Sequence, residues 1–294
     1  MEAAGRPTVP VHVRLDQTAP APPTRRPVPI HGHDGPGDLG PRVPPLPPRA
    51  QPGAPEVIAR EVPAGAWLLT LGPLTNVAAA IGAHARTSRA RLTLTGGSAR
   101  AGGIARAGIA EADALGAVPH SGGETAHDPS CAAAVLAVPW AQPPLVVGLD
   151  VTHTATMTDA ELAILDRRLT PAADFLDCPL AVYRRFGASL CPPGRMPCHD
   201  LLAATACVHP TLVTAEVLPV AVHTGGSAAW NQTVVDTRPL ARSRSGRPEL
   251  PADGNAEADG NPVVVAVDVD VPRIRRLVRE LLGDTPLQDS KGTN

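Results

Sequence analysis

Two residues that can move protons or bind cations, His199 and Asp200, stand side by side before an apolar segment at 201–207 that is predicted to be helical. An imidazole can donate a proton near neutral pH, and a carboxylate can bind a metal ion or a sugar hydroxyl. A structural role also fits this position, because an aspartate at a helix start caps free N–H groups and is stabilised by the helix dipole. The spacing alone favours the structural role, so the chemical one depends on the rest of the chain.

Four further motifs occur along the chain in a fixed order. They are His31-Gly32-His33-Asp34-Gly35, Leu71-Gly72-Pro73-Leu74-Thr75-Asn76, Thr95-Gly96-Gly97 and Glu111-Ala112-Asp113. The second ends an apolar run at 67–71 that is predicted to be a buried strand, and the third ends another strand at 91–95. Thr75 or Asn76 is predicted to cap a helix at 77–83 between the two strands. The second and third motifs are therefore expected where strands end.

The elements that must position these groups alternate regularly between strand and helix. Strand, turn, helix and strand between residues 67 and 95 form a βαβ unit, from which parallel sheets are built. A helix at 130–137 is predicted to open with Asp128 as its cap and Pro129 in its first turn. Further strands are predicted at 145–149, 213–222, 233–236 and 263–269, and further helices at 159–166, 172–186 (interrupted at Cys178-Pro179) and 271–282. The pattern predicts an α/β fold with a doubly wound, mostly parallel, Rossmann-like sheet flanked by helices.

Composition limits the classes of partner. The 294 residues carry a net charge of −2, which argues against nucleic acid or a membrane surface. The five cysteines are odd in number and irregularly spaced, which disfavours a disulfide framework, and the Cys198, His199, Cys207 and His209 pattern fits no common zinc site. The N-terminus has no apolar signal segment and no run long enough to span a membrane, so we expect a cytoplasmic protein.

Taken together, the ordered motifs resemble those of the inosine/uridine-preferring nucleoside hydrolase family. Leu201-Leu202-Ala203 after His199-Asp200, the Leu149-Asp150-Val151-Thr152-His153 segment and Gln232-Thr233-Val234-Val235-Asp236 add to the resemblance. The resemblance implies hydrolysis of the N-glycosidic bond of a ribonucleoside to free base and ribose, a reaction of purine and pyrimidine salvage. It also implies calcium as cofactor, a small-molecule nucleoside as partner and assembly into a homo-oligomer.

The resemblance further implies roles for individual residues. His199 would help to protonate the departing base, while Asp200 and the backbone carbonyl of Leu71 would bind calcium. The residues expected to contact substrate are His31 on a covering loop, Thr95 in place of a family methionine, Glu111 and Asp113 at the ribose hydroxyls, and Asp200. Glu124 is a rival for the Glu111 role, because the blocks around Asp113 and Asp128 are more widely separated than in the family.

One family motif is absent, since the chain contains no Asp-Asp pair. The resemblance implies an aspartate cluster after a first strand, so we expect that N-terminal strand region to be missing and the calcium ligand set to be incomplete. The chain is then expected to hydrolyse inosine or uridine poorly or not at all. The alternative hypothesis is a non-catalytic protein that binds a nucleoside or ribose.

The expected domain organisation is one nucleoside hydrolase-like domain at 1–283, followed by a polar tail at 284–294. A proline-rich region at 1–55 opens the domain and holds 15 of the 35 prolines. It is interpreted either as a disordered leader or as a long loop over a site. Base preference does not follow from these motifs.

Overall fold

The structure is a computed structural model that describes residues 9–13, 51–99, 123–167, 170–187, 191–225, 230–236, 241–242, 248–249 and 261–281. Most of the proline-rich region, the polar tail and the predicted site residues His31, Glu111 and Asp113 lie outside these ranges.

Twelve strands and nine α-helices are assigned within the described residues. The strands are β1 His12–Val13, β2 Gln51–Pro52, β3 Trp67–Thr70, β4 Arg91–Thr95, β5 Leu145–Val147, β6 Thr156–Thr158, β7 Arg195–Pro197, β8 Val213–Val222, β9 Thr233–Val235, β10 Ala241–Arg242, β11 Pro248–Glu249 and β12 Asn261–Val269. The helices are α1 Ala54–Glu61, α2 Thr75–Ala83, α3 Gly123–His127, α4 Pro129–Leu136, α5 Leu149–Thr152, α6 Asp159–Leu162, α7 Pro171–Gly187, α8 His199–Val208 and α9 Val271–Leu281. Short 3₁₀ turns occur at Ala85–Arg89, Ala163–Arg167 and Pro210–Leu212.

The central sheet has six strands in the order β3-β4-β5-β12-β8-β9. The first four strands pair in parallel, and β8 and β9 complete the sheet by antiparallel pairing. The carboxyl ends of β3, β4 and β5 therefore lie at one edge of the sheet, where open α/β sheets bind ligands. The predicted doubly wound, mostly parallel sheet is confirmed.

Apolar side chains on both faces of the sheet build two cores. On one face Leu92, Leu94 and Val146 pack with residues of α2 and α4, including Val77 and Val135. On the other face Val147 packs with residues of α5, α8 and α9, among them Val151, Leu202 and Ile274. Neighbouring residues on a strand face opposite cores, because side chains alternate along a strand. The sheet is thus covered on both sides, and α8 lies against β3, β4 and β5.

Most predicted elements are confirmed, and four details are corrected. Strand β5 ends at Val147, and α5 begins after Gly148, so the predicted strand over 145–149 was too long. Helix α7 continues through Pro179 without the predicted break. Helix α2 begins at Thr75 with Leu74 at its N-cap and no side-chain capping bond, so the predicted cap by Thr75 or Asn76 was wrong.

The fourth correction concerns β3, which was expected to be a buried strand. Trp67 at its start is 49% exposed and the rest of the strand is half-buried. Among the described strands β3 pairs with β4 alone, so its other edge has no partner there. None of the helices in the described part of the chain is both long and apolar enough to cross a membrane.

Candidate active site

The carboxyl ends of β4 and β5 meet at a tight glycine turn. Thr95, the last residue of β4, is buried, and Gly96 and Gly97 follow it with φ angles of 129° and 72°. The Gly96 N–H donates to the Val147 carbonyl (3.3 Å), and the Leu149 N–H donates to the Gly97 carbonyl (3.0 Å). The turn is therefore held directly against the start of α5.

Both glycines of this turn are required by space as well as by backbone angle. A Cβ atom on Gly97 would lie 2.9 Å from Oγ1 of Thr233, at the start of β9. A Cβ atom on Gly96 would lie 3.3 Å from Cβ and Oε2 of Glu124 in α3. Only glycine adopts these positive φ angles without strain. The turn thus brings Glu124 to the end of β4, where a ligand can approach the backbone.

Asp150, in the first turn of α5, fastens the chain that follows the glycine turn. Its Oδ2 atom accepts a hydrogen bond from the Ala99 N–H at 2.7 Å. This bond to a charged acceptor is stronger than a neutral one. Residues 96–99 and α5 are consequently fixed to each other.

Helix α8 begins with the two residues that the sequence singled out. Its N-cap, Cys198, provides no side-chain capping bond, and His199 and Asp200 are the first two helical residues. The half-buried ring of His199 makes a 2.7 Å hydrogen bond between its Nδ1 and Oγ1 of Thr152 at the end of α5. The ring of His153 meets that of His199 edge to face, with the ring centroids 5.4 Å apart.

Burial keeps both imidazoles uncharged near neutral pH. The pKa of His199 is lowered to about 4, chiefly by burial and further by the neighbouring His153. Burial also lowers the pKa of His153, against the opposing charge of Asp150. At neutral pH the His199 ring therefore carries one N–H group and no charge.

Two carboxylates, Glu124 and Asp200, also belong to this region. The pKa of the half-buried Glu124 is raised to about 7, chiefly by burial and to a smaller extent by the charge of Asp200, against a backbone hydrogen bond that lowers it. The pKa of Tyr183 in α7 is raised mainly by burial, with contributions from Cys198, Asp200 and Glu124. Asp200 itself is exposed. Asp200, Glu124 and Tyr183 therefore lie within electrostatic range of one another, beside His199.

Several predicted residues thus fall in one region, and others are not placed. His199, Asp200 and Glu124 are brought together, Thr95 ends the strand below the glycine turn, and Leu71 follows β3, against which α8 packs. The sequence analysis did not foresee Thr152, His153 or Tyr183 as neighbours of His199 and Asp200. The Leu149–Thr152 helix and His153 belong to a motif that had been noted only for its resemblance.

The described residues do not form a calcium site by themselves. They contain no group of three or more His, Cys, Asp or Glu side chains arranged to hold a metal ion. Asp200 and the Leu71 carbonyl would supply two oxygen ligands, whereas calcium takes about six to eight. Leu71 is 42% exposed, which leaves its surroundings open to water. The described part therefore supplies only part of a calcium ligand set.

Comparison with known proteins agrees with the geometry. Residues 1–276 match the family model described as inosine-uridine preferring nucleoside hydrolase. The chain belongs to this family. Its reaction class is the hydrolysis of ribonucleosides at the N-glycosidic bond.

Named relatives of this nucleoside hydrolase include a plant and a bacterial protein. Probable uridine nucleosidase 1 of Oryza sativa subsp. japonica is 31% identical over 287 residues, which cover 96% of this chain and 81% of the rice protein. The non-specific ribonucleoside hydrolase RihC of Salmonella schwarzengrund (strain CVM19633) is 31% identical over 221 residues, 74% of this chain. The chain spans 60% of the length of that RihC protein.

Solved structures support the fold. The plant nucleoside hydrolase PpNRh1 superposes with a TM-score of 0.78 at 24% identity, covering 96% of this chain and 82% of that one. A purine-preferring ribonucleoside hydrolase from Gardnerella vaginalis gives a TM-score of 0.71 at 24% identity, covering 96% and 81%. This nucleoside hydrolase therefore shares its fold with proteins of both plants and bacteria.

Proposed function

We propose that this chain hydrolyses ribonucleosides with the groups gathered at the carboxyl ends of β4 and β5 and at the start of α8. In the reaction the oxygen of a water bonds to C1′ of ribose, the bond from C1′ to the base nitrogen breaks, and a proton goes to the base. The observation that carries the proposal is the juxtaposition of His199, Asp200 and Glu124 beside a glycine turn. A family member with an imidazole and two carboxylates at this edge has the groups that sugar binding and leaving-group protonation need.

His199 is the proposed donor to the departing base. Its pKa of about 4 makes it a hydrogen-bond donor through a neutral N–H at neutral pH. Such a donor stabilises negative charge as it develops on the base nitrogen, and it does so best where water is partly excluded. The half-buried position of the ring provides that setting.

Glu124 is our candidate for the carboxylate that binds a ribose hydroxyl. With a pKa of about 7 it is present in both protonation states at neutral pH, so it can donate or accept a hydrogen bond. Its position beside the Gly96 turn supports this assignment, because a substrate at this edge of the sheet would lie against that turn. Glu111, Asp113 and His31 stay assigned to the substrate by resemblance, as does Thr95.

Calcium is the metal that the resemblance implies, in a family known to be metal-dependent. Asp200 and the Leu71 carbonyl are the residues that we propose for it. Because these two groups are a small part of a calcium ligand set, no step of the reaction is assigned to a metal here. Calorimetric titration of the chain with calcium tests the assignment. Binding should be lost in Asp200→Asn and kept in Glu216→Gln, an exposed control on β8. Equal binding by both variants would rule out Asp200 as a ligand.

The alternative function is binding of a nucleoside or ribose without turnover. The absence of an Asp-Asp pair and the small oxygen donor set are the observations that favour it. Incubation of the purified full chain with uridine or inosine, with and without calcium, separates the two. Release of ribose and free base supports hydrolysis. Heat of binding without release supports the alternative. The absence of both signals would contradict both hypotheses.

Three further proposals concern the whole chain. We place the chain in the cytoplasm, which agrees with the lack of disulfide bonds at the described residues Cys131, Cys191, Cys198 and Cys207. We also propose a homo-oligomer with a small-molecule nucleoside as its partner. We further propose one hydrolase-like domain at 1–283 followed by a polar tail at 284–294. Light scattering of the purified chain and limited proteolysis test these proposals.

A further inference from the structure

Thr152 is a buried polar residue to which the reaction described above gives no role. It is the last residue of α5, it is 1% exposed, and its hydroxyl oxygen lies 2.7 Å from Nδ1 of His199. A hydroxyl in the interior is costly unless it forms a hydrogen bond. The chain keeps this hydroxyl inside the protein and directs it at the ring of the proposed proton donor.

The direction of this hydrogen bond follows from the partners that are present. In the described part of the chain, the Thr152 hydroxyl forms its hydrogen bond with Nδ1 of His199 and with no second side chain or backbone group. If Nδ1–H were the donor, the hydroxyl hydrogen would be buried without an acceptor among the described residues, which is unfavourable. If the hydroxyl donates, only oxygen lone pairs are left over. The second arrangement is therefore preferred.

A hydroxyl that donates to Nδ1 determines which nitrogen of the ring carries the proton. A neutral imidazole has one N–H and one acceptor nitrogen, so an acceptor at Nδ1 places the hydrogen on Nε2, across the ring. We propose that Thr152 is a positioning residue that holds His199 in the Nε2–H form and so presents Nε2–H to the departing base. This inference rests on the proposed function for its catalytic consequence, but not for the hydrogen bond itself.

The surroundings of Thr152 make it a rigid support. Asp150 ties α5 to the Ala99 N–H, and His153 packs edge to face against the ring of His199. The short helix thus links the glycine turn after β4 to the start of α8. Fixing both the orientation and the tautomer of the ring in advance reduces the reorganisation needed during the reaction.

The test compares three variants of the full chain. Thr152→Val removes the hydroxyl at nearly constant shape, and Thr152→Ser retains it. Thr154→Val is the matched control, because Thr154 is exposed and its hydroxyl reaches only the Asp150 carbonyl, at 3.5 Å. Thermal unfolding of each variant checks that it is folded.

The first readout is the tautomer of His199 in long-range proton–nitrogen NMR spectra at neutral pH. The His199 signals are assigned, among ten histidines, by their loss in His199→Asn. We expect Nε2–H in the wild type, Thr152→Ser and Thr154→Val, and a mixed or reversed population in Thr152→Val. An Nδ1–H tautomer in the wild type, or an unchanged tautomer in Thr152→Val, would overturn the proposal. An Nδ1–H tautomer in the wild-type spectrum overturns the proposal even if Thr152→Val does not fold, and Thr152→Ser supplies a folded comparison in that case.

The second readout is the hydrolysis of uridine. Because the wrong tautomer removes the donor in the transition state, kcat of Thr152→Val should fall about 10- to 100-fold while KM stays nearly constant. Thr152→Ser should recover most of the wild-type kcat. A loss confined to KM contradicts the positioning role. A wild type that shows the expected tautomer but no turnover supports the hydrogen bond assigned here and counts against the proposed hydrolase activity.

Discussion

Helices α4 and α8 each have an aspartate at the N-terminal end, Asp128 and Asp200, and the two carboxylates have different surroundings. At the start of α4, Asp128 is 1% exposed, and its two oxygens accept from the Cys131 N–H (3.1 Å) and the Thr75 hydroxyl (2.7 Å). At the start of α8, Asp200 is exposed, and the N-cap residue Cys198 makes no side-chain capping bond. One helix start is saturated with internal hydrogen bonds, and the other is open to solvent.

The comparison shows why an aspartate near a helix start is ambiguous in a sequence. The helix dipole favours both carboxylates equally. They differ in what lies opposite: α2 presents a hydroxyl to Asp128, whereas Asp200 lies in the electrostatic range of a second carboxylate, Glu124. The first arrangement satisfies charge and stabilises the fold. The second concentrates acidic groups at the edge of the sheet, as the proposed binding of ribose requires.

The largest effect on activity is expected from a substitution at the start of α8. His199→Asn removes the proposed hydrogen-bond donor to the departing base, and kcat/KM for uridine should fall about 10²- to 10³-fold, the usual range for the loss of one transition-state donor. His209→Asn, at the exposed C-cap of the same helix, is the control and should retain full activity. Steady-state kinetics on both variants are the measurement. Similar losses in the two variants would remove His199 from the reaction.

The next largest effect, on stability, is expected from a substitution at the start of α4. Asp128→Ala leaves the buried Thr75 hydroxyl and the Cys131 N–H without their acceptor, and the free energy of unfolding should fall by about 2–4 kcal/mol. Asp200→Ala, at an exposed position, should change it by less than about 0.5 kcal/mol. Urea denaturation of both variants measures the difference. If the two aspartates cost the same, the contrast between the helix starts is wrong.

A smaller effect concerns Glu124, the carboxylate that interacts with Asp200, and the pH dependence of stability that it causes. The pKa of Glu124 is raised from 4.5 to about 7 on folding, so the folded protein binds this proton more tightly than the unfolded chain does. Its stabilising effect is complete below pH 4.5 and is lost as the pH rises through about 7. We expect a loss of about 3 kcal/mol over that window in the wild type.

Glu124→Gln cannot ionise, so its unfolding free energy should lose this part of the pH dependence. The measurement is a series of urea denaturation curves between pH 4 and pH 8, with the exposed Glu216→Gln on β8 as the matched control. Parallel pH profiles for the wild type and Glu124→Gln would show that burial does not perturb this carboxyl group.

Much of the fold could be predicted because the local signals were strong. Apolar runs ended by glycine predicted β3 and β4, and Asp128-Pro129 predicted the start of α4, where Asp128 caps as expected. Amphipathic spacing predicted α9, whose Ile274 and Val278 are buried. Signals that compete with tertiary packing were misleading. Helix α7 continues through Pro179, although proline favours a break. Thr75 donates a hydrogen bond to Asp128 instead of capping α2.

The candidate site was predicted in part. His199 and Asp200 stood out because of their types and their place before an apolar helix, and the ordered motifs identified the family. Thr152, His153 and Tyr183 were missed, since each is ordinary in its local sequence. They become neighbours of the site because α5, which follows β5, packs against α8, and because Tyr183 of α7 lies within electrostatic range of Asp200.

The sequence by itself determined the alternation of strand and helix, the glycine turns and the family, because these follow from periodicity and from motifs of adjacent residues. Only the tertiary structure decided which carboxylate is satisfied, which is exposed, and which nitrogen of His199 faces a hydroxyl. Burial, pKa and hydrogen-bond partners depend on groups that lie far apart in the chain, and short-range sequence patterns carry no information about the distances between them.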